Sequence, residues 1–159
     1  MSGPGMRRTS WTDLAVPLIV MGITVFVLLR FSYDSIPPLH YFTAAPLAAL
    51  AAAELVAARR VRAAVRHDPN ARPMAAIVIA RCVALGKASS LVGAGVVGAV
   101  LGLLGRVLPD VRALKAAAND TAVGSVILAA AVALVIAGLL LERAGIDPGS
   151  DKDSRDRRA

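Results

Sequence analysis

Apolar residues fall along this chain in four long blocks, separated by short segments rich in proline or charge. The first block runs from about Leu14 to Leu29 and the second from about Phe42 to Ala58. The third runs from Pro73 to near Leu104, and the fourth from about Ala122 to Leu141. A membrane-crossing helix needs roughly 20 predominantly apolar residues. The blocks therefore predict four spans, at about 11–30, 41–58, 80–104 and 122–141. The expected fold class is all-α, an integral membrane four-helix bundle. Residues 1–9 form a cytoplasmic tail in this scheme, and 10–144 form the membrane domain. The stretch 145–159 is polar, with almost nothing to bury, and reads as a disordered cytoplasmic tail.

Local signals sharpen the boundaries. Ser10 and Asp13 have capping-box spacing, so the first helix starts near Trp11, with Pro17 in an early turn. Arg7 and Arg8 could open a signal peptide, but Arg30-Phe31-Ser32-Tyr33-Asp34 offers no small-x-small cleavage site, which predicts an uncleaved anchor. Ser35-Ile36-Pro37-Pro38 breaks the chain before the second helix. That helix continues through Arg59-Arg60-Val61-Arg62-Ala63-Ala64-Val65-Arg66, because Ala and Arg favour helix, and stops near His67-Asp68-Pro69-Asn70. The third block, started by Pro73, is about 32 residues or roughly 48 Å long, against a hydrocarbon core of about 30 Å. It must tilt or protrude, and Arg81 and Lys87 place its opening turns at the inner headgroup layer. Helices two and three thus extend into the cytoplasm. Pro109 to Ala118 reads as a short interfacial helix, and Asn119-Asp120-Thr121 as a turn and cap before the fourth span.

Composition then changes what the charge means. The chain is 57% hydrophobic, beyond the roughly 45–50% of a soluble domain, and carries a formal net charge of +7. That charge could imply nucleic acid, but no aromatic residues are interleaved with the basic ones as single-strand binders require. Lys and Arg instead accumulate on the cytoplasmic side of membrane proteins. With the N-terminus inside, twelve Lys and Arg lie in the inner segments and four in the outer ones, before Arg81 and Lys87 are counted. Both termini are therefore expected in the cytoplasm, in a multi-pass protein of the plasma membrane. Trp11 at one boundary and Phe31, Tyr33, Tyr41 and Phe42 at the other match headgroup-seeking aromatic belts. The single cysteine, Cys82, excludes an internal disulfide.

Few residues offer chemistry. Glu54 is a carboxylate inside the second span, with Lys87 as its expected partner across the hairpin and Arg81 as the alternative. Such a pair serves either as a proton or substrate site or as a buried ion pair whose members snorkel toward the inner headgroups. On the third helix Lys87, Ser90, Ala94, Gly98 and Gly105 share one face at 100° per residue, and Gly98 with Gly102 forms a GxxxG. Small residues at that spacing let helices approach closely, either within the chain or between chains. Gly86-Lys87-Ala88-Ser89-Ser90 fails as a phosphate-binding loop, since position 81 is Arg rather than Gly and Ala follows the lysine. His40 and His67 fall on opposite sides of the membrane, and neither HExxH nor GxSxG is present. No metal, cofactor or catalytic residue is expected. Arg59, Arg60, Arg62, Arg66 and Arg72 make a basic cytoplasmic hairpin suited to anionic lipid headgroups, at roughly 1 kcal/mol per charge.

The four-span layout, the stretch Arg81-Cys82-Val83-Ala84-Leu85-Gly86-Lys87-Ala88-Ser89-Ser90 and the glycine-rich run after it resemble an uncharacterised family of small actinobacterial membrane proteins. The resemblance covers Trp11 to Leu141 and suits the Ala/Arg-rich composition of a high-GC genome. It implies a gene neighbourhood of folate biosynthesis and supplies no catalytic residues. The combined expectation is a non-enzymatic accessory or assembly component that packs with itself or with a membrane-protein partner. The alternative is a small transporter, or a subunit of one, that uses Glu54 and Lys87.

Overall fold

The computed structural model describes residues 9–32, 40–66, 74–110 and 115–145. Helix α1 spans Trp11–Ser32, α2 Ala44–Val65, α3 Ala76–Val107 and α4 Lys115–Ala144. All four are long and apolar enough to cross a membrane. Trp11 and Phe31, both strongly exposed, stand at opposite ends of α1, roughly 30 Å apart at 1.5 Å per residue, which matches a hydrocarbon core. At the start of α1 the Asp13 carboxylate accepts from the Ser10 amide at 2.9 Å, the reciprocal half of the capping box. Pro17 lies within α1 without ending it. A 3-10 turn at Tyr41–Thr43 leads into α2, whose Pro46 occupies the first turn, where an N–H has no helical partner to lose.

The helices do not pack in chain order. Among the described residues α1 packs on α3, α3 on α4 and α4 on α2, while α1 and α2 do not meet. The row is therefore α1–α3–α4–α2, with the second hairpin wedged between the members of the first. This corrects the expectation that helices two and three pack as a hairpin: α2 meets α3 only slightly and leans on α4. The reason is visible in α2. Its buried positions, Ala44, Ala51, Glu54, Ala58 and Val61, recur at spacings of seven, three and four residues and make one stripe. Ala51 packs with Leu134 and Ala137, and Ala58 and Val61 with Leu141 and Ala144, all on α4.

Two glycine seams bring the central helices close. A Cβ on Gly98 would overlap the Leu18 carbonyl, and one on Gly102 would overlap the Gly22 carbonyl, so α1 and α3 touch backbone to backbone. On the other side of α3, a Cβ on Gly86 would lie 2.6 Å from the Gly138 oxygen, and one on Gly138 would lie 2.6 Å from the Gly86 oxygen. Apolar burial gives no net drive between helices in lipid, so such close approach, with its dense van der Waals contact, is what holds them.

Helix limits depart from expectation at α3 and α4. The first residue of α3 is Ala76 rather than Pro73, which lies outside the described residues, and the helix runs on to Val107. Asn119-Asp120-Thr121 is not a turn but part of α4, which begins at Lys115. The Thr121 hydroxyl donates to the Ala117 carbonyl at 2.8 Å and the Ser125 hydroxyl to the Thr121 carbonyl at 2.7 Å. These residues thus satisfy their polar side chains against the preceding turn, which removes the pressure to break the helix. Leu108–Asp110 forms a 3-10 turn where the interfacial helix was expected, and 111–114 lie outside the described residues.

Candidate functional site

Glu54 stands midway along α2, in the stripe that packs on α4, and is 1% exposed. One turn before it Ala51 meets Leu134 and Ala137, and one turn after it Ala58 meets Leu141. The carboxylate therefore lies in an apolar seam, on the membrane side of Arg59 and Arg60 by about one and a half turns. The hydroxyl facing it is that of Ser89 on α3. Neither carboxylate oxygen, however, has a hydrogen-bond partner of full geometry. The neighbouring Ser90 hydroxyl is already committed, donating to the Lys87 carbonyl at 2.9 Å. A charged side chain at the bilayer centre costs about 2.5–3.5 kcal/mol on insertion scales. An unpartnered carboxylate in a packed seam is thus held there by its surroundings and not by its own preference.

No hydrogen bond joins Glu54 to Lys87 or to Arg81. Lys87 is half-buried on α3 and Arg81 is exposed. Chain-adjacent helices were expected to pack face to face, whereas α2 leans mainly on α4 and meets α3 only slightly.

The small-residue face of α3 divides between two neighbours. Ser90, fully buried, packs against Gly138 of α4, whereas Gly98 and Gly102 face α1. Ala94 is buried between them, at 3% exposure. Gly105 is exposed, with only the Phe26 ring near, so it supports no backbone contact. Arg59, Arg60, Arg62 and Arg66 are exposed at the end of α2, and Arg72 lies outside the described residues.

Sequence reasoning passed over Gly22, Gly138 and Glu142, and Ser89 as the neighbour of Glu54. Gly22 had a signal, being the lone glycine of the first apolar block, and Gly138 is one of two glycines in the fourth. Glu142, 4% exposed near the end of α4, accepts from the Thr9 amide at 2.7 Å through one oxygen, while the other is buried without a partner. This contact ties the entry of α1 to the exit of α4, so those two helix ends lie on one side of the bundle. Its signal was the inward spacing of Leu134, Gly138, Leu141 and Glu142, masked by the adjacent Arg143.

Among the described residues no group of three or more metal-ligating side chains comes together. No curated protein and no solved structure matches the chain. One family model does match, over residues 14–148, a range that takes in all four helices except the opening turn of α1. The chain belongs to this family, DUF3180, described as proteins of unknown function.

Proposed function

We propose that this protein is a non-enzymatic, multi-pass component of the plasma membrane, with both termini cytoplasmic, that serves as an accessory or assembly subunit beside a membrane partner. The carrying observation is the helix row. Within an apolar 18-residue stretch of each span, 11% of the residues are buried in α1 and 22% in α2, against 50% in α3. The glycine seams are used inside the chain, and α1 turns Val16, Ile19, Val20, Ile23 and Val27 outward. A peripheral helix with one neighbour and a broad apolar face has surface to share with a second membrane protein or another copy of this chain. The basic end of α2 adds attraction to anionic headgroups.

The test is site-specific photocrosslinking in native membranes, with the probe at Ile23 or, as a control, at the fully buried Ala131. A discrete protein adduct from Ile23, and none from Ala131, is expected. Lipid adducts alone at Ile23 would remove the assembly reading.

A second reading has its own observation. Glu54, buried and unpartnered inside a span, supports a small transporter or transporter subunit in which this carboxylate meets the transported species.

A further inference from the structure

We propose that Glu54 is a proton-binding site within the membrane, taking up one proton as a neutral acid and releasing it as a carboxylate, with Ser89 as its positioning hydroxyl. The inference refines the transporter reading by naming the bound species, and it stands apart from the assembly reading.

Three features of the site converge. Glu54 is 1% exposed and both of its oxygens are buried without a partner. A carboxylate held for structure finds a cation or several amide donors. Here the stripe on either side supplies alanine from α2 and leucine and alanine from α4. A proton fits this setting better than a metal ion, which would need several further oxygen ligands. Among the described residues no cluster of ligating side chains supplies them.

The charged groups on the packed elements donate no hydrogen bond to it. Lys87 on α3 and Glu142 on α4 are the titratable residues nearest along those helices, and neither hydrogen-bonds to Glu54. Arg59 and Arg60 on its own helix are exposed. Ser89 can accept from the acid or donate to the carboxylate, so one hydroxyl serves both states by rotating. With Ser90 bound to the Lys87 carbonyl, Ser89 is the hydroxyl left for this task. Proton exchange then needs only a transient water between α2 and α3, which meet loosely.

The probe is dicyclohexylcarbodiimide, an apolar reagent that enters bilayers and reacts with carboxylic acids. The acid O–H adds across one C=N bond to give an O-acylisourea. Acyl migration to nitrogen then gives a stable N-acylurea, a one-to-one adduct with no leaving group. The full chain in liposomes would be treated over a pH series and the modified residue located by mass spectrometry. The expected result is an adduct at Glu54 whose initial rate falls about tenfold per pH unit above a midpoint. Glu54→Gln should lose that adduct, and Ser89→Ala should keep it while moving the midpoint. Two results would overturn the proposal: adducts confined to Glu142 and the tails, or a Glu54 adduct formed at a rate independent of pH. The wild-type map decides the matter even if Glu54→Gln fails to fold. A pH-dependent adduct without proton flux would leave the binding site standing and remove the transporter reading. Glu54-dependent flux of another solute without the adduct would do the reverse.

Discussion

Two glycines on one face of α3 carry opposite consequences. Alanine is the better helix former by about 1 kcal/mol, so Gly→Ala in a helix ordinarily stabilises. At Gly98 the added methyl would land on the Leu18 carbonyl, a backbone atom that can move only with α1. At Gly105 it would meet the Phe26 ring at 3.8 Å, an ordinary contact. Gly98→Ala is therefore expected to lower the thermal midpoint in mild detergent, at a cost of about 1–3 kcal/mol from overpacking. Gly105→Ala should leave the midpoint level or raise it. Equal midpoints for the two variants would contradict the α1–α3 seam. The shared face was legible in the sequence, since spacing alone sets angle around a helix. Which neighbour covers each level was not, because glycine says that something comes close without saying what. The same limit applies to Glu54, whose cost in the membrane was readable but whose environment depended on a helix order that no local pattern encodes.

At the level of the element, α4 is the instructive case. Asn119, Asp120 and Thr121 are residues that favour caps and turns, yet the helix runs through them, with Thr121 bonded back to Ala117. Tertiary packing decides: Ala117, Asp120 and Val123 are all buried, so a break here would lift one end of α4 off its neighbours. Asn119 is exposed, which makes it a clean site for a test. Asn119→Pro would remove a backbone hydrogen bond and crowd the preceding turn, costing about 3 kcal/mol. Loss of helicity by circular dichroism and a lower thermal midpoint are the expected outcome. A variant indistinguishable from wild type would mean that the segment is a turn after all. The four apolar blocks were plain in the sequence because each is long enough to span without help. Their ends were less so, because Pro73, Asn119 and Thr121 speak only for local preference.

For the molecule as a whole, sidedness is the property with the widest reach. Thr9 bonded to Glu142 places the start of α1 and the end of α4 on one side, and the proposed orientation turns that side, with its excess of Lys and Arg, toward the cytoplasm. An enzymatic reporter fused after Ser35 should be active only as an external fusion, and one fused after Ala144 only as a cytoplasmic one. The opposite pair of activities would invert the proposed orientation, and with it the side from which Glu54 exchanges its proton.

The row α1–α3–α4–α2 also has a history written into it. The ribosome delivers α1 and α2 first, and these two helices do not touch each other. Until the second half arrives, each stands in lipid without a packing partner, its glycines and its carboxylate uncovered. Assembly of α2 therefore waits for synthesis to reach α4, whose arrival closes the Gly86–Gly138 seam on α3 and covers the buried stripe of α2, while the α1–α3 seam can close earlier. A chain interrupted at midpoint would leave two orphan helices, with Glu54 bare in the bilayer as a mark by which surveillance proteases could recognise an unfinished product.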